Sequence, residues 1–177
     1  MRALIIATAF VAGTVAVTGQ SAIDGRTQVQ LERLFPTATS FSPRFPAPPH
    51  YKAYAASASG EPTLLGVAFW TTELDPLERG YDGPIKILVG MNMNGRLIGV
   101  VVAQHHEPYG YFSVDPKAFA AQFVGKDIRD PFRVGDDIDA VSRASISIGS
   151  ATRAIRNSAR RVARQLLPPP VAPPADK

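Results

Sequence analysis

The strongest constraint on the fold of this chain is a pair of apolar segments joined by an Asn-Gly turn. Residues 85–91 and 96–104 are rich in Val, Ile and Leu, and Asn94-Gly95 lies between them. Asn-Gly favours the positive φ that a tight hairpin turn requires, so the pattern predicts an antiparallel hairpin. We expect Ile85, Ile87, Val89 and Met91 to share one face, and we expect Leu97, Gly99 and Val101 to lie opposite Ile98, Val100 and Val102.

Further strands and helices are predicted on both sides of this hairpin. Residues 51–56 and 63–71 are rich in aromatic and apolar residues and predict strands, with Gly66 marking a bulge or a close backbone approach. Residues 24–34 predict a helix capped by Thr27, and residues 37–49 predict a loop. Residues 116–124 predict another helix, with Asp115 at its N-cap. This order predicts an α+β fold in which helices pack on an antiparallel sheet with hairpins.

The last helix is predicted to begin between residues 147 and 150 and to end near Leu167. Gly149 would cost about 1 kcal/mol inside a helix, which favours a start at Ser150. Pro168 ends the helix, and we expect residues 168–177 to form a disordered, Pro-rich tail. An apolar stripe on this helix faces the core and comprises Ile148, Ile155, Ala159, Val162 and Leu166.

The N-terminus has the pattern of a secretory signal. Arg2 precedes an uncharged run over residues 3–23 that ends in small residues. We therefore interpret residues 1–22 as a signal peptide, with an uncleaved membrane anchor as the alternative. The prediction implies export to the periplasm and leaves residues 26–167 as one folded domain.

Composition removes several kinds of chemistry. The 177 residues include no cysteine, which excludes disulfides, thiol catalysis and Cys-bound metal centres. The net charge of +4 comes largely from arginines between residues 153 and 164. Because arginines on one side of an amphipathic helix are usually a solvated face, we do not expect nucleic acid as a partner.

The segment with most chemistry is residues 139–147, with the sequence DAVSRASIS. It places three hydroxyls, one carboxylate and one guanidinium in front of the last helix. A helix N-terminus favours a phosphate, because its backbone N–H groups are free and its dipole is positive. Taken alone, the same residues also suit an ordinary helix cap.

Read as D-x-x-S-x-A-S-x-S, this segment resembles the attachment motif of FMN-binding domains. The domains concerned are those of NosR/NirI-type regulators and of the covalent-FMN subunits of sodium-pumping quinone reductase and Rnf complexes, with the pattern D-x-x-S-G-A-T-x-S/T. Asp139, Ser142, Ala144 and Ser147 match in register. A second block is similar to the NosR-type version, from the G-Y-x-G-x-P-I segment at Gly80 to the H-H-E-P loop at residues 105–108.

The resemblance implies an exported flavoprotein that takes part in electron transfer. It places the FMN phosphoester on Ser145, where the family has Thr, and puts His106 and Glu107 beside the isoalloxazine ring. Arg143 replaces a glycine, and its guanidinium could pair with the phosphate. The implied partners are a redox donor or acceptor, a membrane complex among the candidates, and a flavin transferase. The alternative is a regulatory or scaffolding module of the same fold, in a periplasmic respiratory system, that lacks the covalent flavin.

Other sites find less support in the sequence. Adjacent His105 and His106 point in opposite directions on an extended segment, so a metal site is not expected. Ser145, His105 and Asp139 could be combined into a catalytic set, but the G-x-S-x-G elbow is missing. The sequence leaves open whether the protein is an enzyme, and an electron carrier fits it better than an enzyme that converts a substrate.

Overall fold

The computed structural model describes residues 22–57 and 60–168. The predicted signal peptide lies outside these residues except for Ala22, and the predicted tail lies outside them except for Pro168. Within the described part, no helix combines the length and apolar character that crossing a bilayer requires.

Six strands form an antiparallel sheet between helices. The strands are β1 (Ser40–Phe41), β2 (Phe45–Pro46), β3 (Pro49–Ala55), β4 (Thr63–Trp70), β5 (Lys86–Asn92) and β6 (Leu97–Gln104), and the helices are α1 (Gly25–Leu34), α2 (Thr71–Leu74), α3 (Gly110–Ser113), α4 (Lys117–Ala121) and α5 (Ser145–Leu166). The strand order is β1-β3-β4-β5-β6, and β2 pairs with β3 outside this path. The predicted α+β fold is therefore confirmed.

The two faces of the sheet bury separate apolar clusters. One face packs against α4 and α5, where Ile87 and Val89 from the sheet meet Ile148 and Ile155 from α5. The opposite face packs against α1 through Leu31 and Leu34. The sheet is thus covered on both sides, and α5 is fixed along its length by its apolar stripe.

The predicted hairpin is confirmed, but its second strand has a different register. Gly95 supplies the positive φ of the turn, at +79°. A bulge follows, because Met91 pairs with Leu97 while Gly90 pairs with Gly99. The extra residue shifts the alternation. Leu97 consequently shares a face with Val100 and Val102, whereas Ile98 and Val101 pack on the other side, so the predicted grouping of these side chains is wrong.

Gly66 makes the close backbone approach that its position in β4 predicts. A Cβ atom built on Gly66 would lie 2.3 Å from the carbonyl oxygen of Met91 on β5. The pairing of β3 with β4 also shifts register beside it, between Ala53 and Tyr54. Only glycine fits at this contact.

Several predicted boundaries and caps are wrong. Asp24, not Thr27, caps α1, and its carboxylate accepts from the N–H groups of Arg26 and Thr27. The expected loop over residues 37–49 contains the short strands β1 and β2. Asp115 does not cap α4, which covers only Lys117–Ala121 with Pro116 at its N-cap position. The Asp115 carboxylate is engaged by His105 instead, at 2.8 Å, because a tertiary partner competes with the local cap.

The last helix begins earlier than predicted. It starts at Ser145 and contains Gly149 in its second turn. Ser147 and Ile148 are buried against the rest of the molecule, so tertiary packing offsets the low helix propensity of glycine. As a result, the hydroxyls of Ser145 and Ser147 belong to the first turn of α5 and not to a preceding loop.

Candidate functional site

The predicted motif forms a turn and the first helical turn of α5. Residues 141–144 close the turn through a hydrogen bond from Ala144 N–H to the carbonyl of Val141, at 3.1 Å. Ala144 is buried, whereas Ser145 is exposed. No side chain within the described part of the chain caps this helix, and its first turn contains no acidic residue. The first N–H groups of α5 are therefore available to an anion.

Arg143 adopts a left-handed backbone conformation immediately before this helix. Its φ is +67°, a value at which a residue with a Cβ atom is strained by about 1–2 kcal/mol. The side chain is exposed. The strained backbone thus holds a guanidinium two residues before Ser145.

Ser147 is committed to Glu107. Both residues are buried, and the Ser147 hydroxyl donates a hydrogen bond to Glu107 Oε2. The same carboxylate accepts from the N–H groups of Tyr81 and Asp82, each at 3.0 Å. Glu107 therefore joins three segments: the turn at residues 80–83, the loop at residues 105–108 and the first turn of α5.

These hydrogen bonds determine the charge state of Glu107. Burial acts to raise the pKa of its carboxyl group, but the donors Ser147, Asp82 and Tyr81 stabilise the ionised form and lower the pKa below its ordinary value. Glu107 is therefore a carboxylate at neutral pH. An ionised acceptor makes stronger hydrogen bonds than a neutral one, and this stabilises the junction.

His105 is held in a single orientation beside Glu107. The Glu107 N–H donates to His105 Nδ1 at 3.1 Å, and His105 Nε2 lies 2.8 Å from Asp115 Oδ1. Because Nδ1 accepts, the proton resides on Nε2 and is donated to Asp115. His106, in contrast, is exposed.

Exposed apolar side chains concentrate in the segments that Glu107 joins. Seven large hydrophobic residues are exposed among those described, and four of them belong to residues 80–82, 105–113 or 145–147. The four are Tyr81 (71% exposed), Tyr109 (47%), Tyr111 (72%) and Ile146 (54%). An aromatic surface next to an uncapped helix N-terminus suits a ligand with a planar ring and a phosphate.

The comparisons with known proteins agree with this geometry. Residues 80–160 match the family model described as the FMN-binding domain. This segment is an FMN-binding domain. It begins at the turn that binds Glu107 and includes the motif at the entrance of α5.

Curated relatives of this FMN-binding domain are all named as the same component of an ion-translocating oxidoreductase complex. The relative from Vibrio cholerae serotype O1 is 31% identical over 120 residues, which cover 62% of this chain and 54% of that protein. Its counterpart in Vibrio atlanticus (strain LGP32) is 26% identical with the same coverage. The counterpart in Pectobacterium atrosepticum is 39% identical over 62 residues, or 35% of this chain and 26% of that protein. The chain spans about half the length of the Vibrio relatives.

FMN is the cofactor of this domain, and the residues at the entrance of α5 fit its chemistry. The phosphate has the Ser145 hydroxyl, the free N–H groups of the first turn and the Arg143 guanidinium as possible partners. The exposed tyrosines at residues 81, 109 and 111 offer aromatic surface for a flavin ring. The predicted cofactor and the predicted relation to Rnf-type subunits are confirmed. The NosR/NirI-type assignment within the family stays a prediction.

The structure brings only some of the predicted site residues together. Arg143, Ala144, Ser145 and Ser147 meet at the helix entrance, and Glu107 contacts Ser147. Asp139 and Ser142 are exposed, and the N–H of Asp139 donates to Gln122 Oε1 at 2.6 Å. The described contacts assign no partner to the Asp139 carboxylate or to His106. Their roles toward FMN stay predictions.

Sequence reasoning missed the partners of the predicted residues. The backbone of Tyr81 and Asp82 binds Glu107, and Asp115 binds His105. Two glycines carried a signal for these contacts. A Cβ atom on Gly80 would lie 2.3 Å from Glu107 Oε1, and one on Gly110 would lie 2.0 Å from His105 Cε1, so neither position accepts a larger residue.

A separate apolar cavity of about 320 Å³ lies between α1, β6 and α4. Its walls are mainly aliphatic and include Val100, Val102 and Ala120. It contains no residue of the 139–147 motif. We therefore place the candidate site at the entrance of α5, where hydroxyl, cation and aromatic groups occur together.

Proposed function

We propose that this chain is an electron-transfer flavoprotein in which FMN is linked to Ser145. The observation that carries the proposal is the contrast between the two hydroxyls in the first turn of α5. Ser147 is buried and donates to Glu107, whereas Ser145 is exposed at an uncapped helix N-terminus. Ser145 is thus the hydroxyl that is free to form an ester.

The linkage is a phosphoester. The Ser145 oxygen forms a bond to the flavin-side phosphorus of a flavin dinucleotide and loses its proton, while the bond from that phosphorus to the adenylate breaks and AMP leaves. No electrons are transferred in this step, and the protein gains the mass of FMN less one water. A flavin transferase supplies the catalysis.

The chain's own groups then hold the phosphate and position the ring. The N–H groups of the first turn and the Arg143 guanidinium stabilise the negative charge of the ester. Glu107 fixes the 80–83 turn against α5, so Tyr81 stays beside the site. Bound flavin supplies one- and two-electron redox chemistry, and the protein contributes orientation and electrostatics.

The relatives support a role in a membrane redox chain. Their name describes a component of an ion-translocating oxidoreductase complex. By analogy, we propose that this chain exchanges electrons with another redox protein, and that this protein belongs to a membrane complex. We further propose periplasmic location, either as an exported protein or held by residues 1–22 as an anchor. The N-terminal residue of the protein recovered from the periplasm or the membrane fraction tests this part.

A set of serine variants tests the linkage. In a host that contains the flavin transferase, the wild-type protein should carry the added mass and show flavin fluorescence in a denaturing gel. Ser145→Ala should lose both, and Ser145→Thr should keep both. Ser147→Ala should keep the added mass but unfold at a lower temperature, because Glu107 loses a buried donor worth about 1–3 kcal/mol. Added mass that persists in Ser145→Ala would refute the assignment.

A second function is a module of the same fold without covalent flavin. The observation that favours it is the pair of departures at the motif, a strained Arg143 in place of glycine and Ser145 in place of threonine. Colourless wild-type protein of unmodified mass, from a host whose transferase modifies a control flavoprotein, would establish this alternative.

A further inference from the structure

The far end of α5 has a cluster of arginines without acidic partners. The salt bridges of arginine among the described residues involve Arg44, Arg129, Arg133 and Arg153. None involves Arg160, Arg161 or Arg164. These three side chains line one cleft of about 310 Å³, together with Leu74, Asp75 and Asn157.

Two of the three guanidiniums are held by backbone carbonyls. Arg160 donates to the carbonyls of Ile128 and Asp130, each at 2.8 Å, and Arg161 donates to that of Leu74. A guanidinium has five N–H donors, so both retain unused donors. Because these bonds already restrict the side chains, a ligand would lose less affinity in ordering them.

The cleft has an excess of positive charge. Three guanidiniums face one carboxylate, Asp75, whose Oδ2 already accepts from Asn157 Nδ2 at 2.9 Å. The surplus corresponds to two positive charges, which a phosphate group matches in charge and in its fit to the planar guanidinium fork. An isolated basic helix face lacks this enclosure and these fixed side chains.

We propose that this cleft between α2 and α5 binds a phosphate group. It is distinct from the FMN site, because Ser145 and Arg161 are about 24 Å apart along the helix at a rise of 1.5 Å per residue. The phosphate can belong to a lipid headgroup or to a soluble molecule. Leu77 is 88% exposed and lies two residues after Asp75, an arrangement that suits a lipid headgroup above an apolar layer.

Binding of inorganic phosphate and pyrophosphate to the full chain tests the site. Calorimetric titrations at constant ionic strength, with chloride as the reference anion, should saturate at one site per chain. Arg164→Gln should weaken binding about tenfold or more, as expected for a lost charged hydrogen bond. Arg156→Gln is the matched control, because it removes the same charge from the same helix outside the cleft, and it should change the affinity less than twofold.

Sedimentation with vesicles identifies the source of the phosphate. If the source is lipid, vesicles containing phosphatidylglycerol should retain wild-type protein more strongly than Arg164→Gln, and free phosphate at moderate concentration should not compete. If the source is soluble, free phosphate should bind with the same variant pattern and vesicles should not discriminate between the variants. Retention through residues 1–22 would be equal in all variants and on phosphatidylcholine alone.

Two results would overturn the proposal. One is equal weakening by Arg156→Gln and Arg164→Gln, which would indicate diffuse charge attraction. The other is the absence of saturable binding in both assays. Ser145→Ala protein should bind phosphate like the wild type at this cleft, so failure of the flavin linkage and failure of this site are separable. Melting curves of the variants check that each is folded.

Discussion

Replacing Arg143 by glycine should stabilise the apo protein and weaken its hold on phosphate. At a φ of +67°, a residue with a Cβ atom is strained by about 1–2 kcal/mol. Glycine removes the strain, but it gives the unfolded chain extra freedom worth about 0.4–1 kcal/mol. The expected net gain is therefore about 1 kcal/mol. In a chain of 177 residues, this corresponds to a rise in Tm of about 2–4 °C.

Two control variants separate the backbone effect from the loss of charge. Arg143→Ala removes the guanidinium but keeps the left-handed strain, so it should not gain stability. Arg133 is exposed in a loop and does not have positive φ, so Arg133→Gly should destabilise. Urea unfolding and thermal melts of apo protein supply the comparison. A loss of stability in Arg143→Gly as large as that in Arg133→Gly would refute the strain argument.

The flavin side of the same prediction has the opposite sign. Arg143→Gly and Arg143→Ala should both weaken the affinity of apo protein for free FMN about tenfold, because a charge-assisted hydrogen bond to phosphate is lost. Fluorescence titration measures this affinity directly. Unchanged affinity in both variants would mean that Arg143 does not contact the phosphate.

Three further predictions concern stability. Gly66→Ala should lower the free energy of unfolding by about 1–3 kcal/mol, because its Cβ would collide with the Met91 carbonyl; Gly25→Ala, in open space at the start of α1, should be neutral or stabilising in the same urea assay. Glu107→Gln should cost about 1–3 kcal/mol. Because the folded pKa of Glu107 is lowered, its contribution is present above pH 4.5 and lost on acidification, so melts of Glu107→Gln should vary less with pH there, and an unchanged pH profile would contradict the assignment. Bonds from Arg129 lower the pKa of Asp127 from 3.8 to about 2, so Asp127→Asn should remove stability that the wild type has above pH 3.8 and loses toward pH 2.

The hairpin and the core face of α5 could be predicted because local sequence determines them. Asn94-Gly95 defines the turn, and Ile87 and Val89 alternate on the buried face. The bulge after Leu97 could not be predicted in the same way, because an inserted residue leaves no mark in an uninterrupted apolar run. One such residue reverses which side chains face the core.

The candidate site was predictable as a motif but not as a set of contacts. The spacing of residues 139–147 placed Ser145 and Arg143 correctly at a helix entrance, and the positive φ of Arg143 agrees with its place in a glycine position. The start of α5 and the role of Asp115 were wrong because both depend on partners distant in sequence. Ser147 contacts a residue 40 positions away, and Asp115 contacts His105.

The position of Glu107 has a consequence for the order of events during biosynthesis. Its carboxylate binds backbone 26 residues earlier and a hydroxyl 40 residues later, so the surroundings of Ser145 are complete only after residues 80–147 have been synthesised and have folded together. A peptide with the sequence of residues 139–147 would lack Glu107 and the 80–83 turn. A transferase that recognises this assembled surface would act on folded protein, and flavin attachment would then serve as a record that the domain has folded.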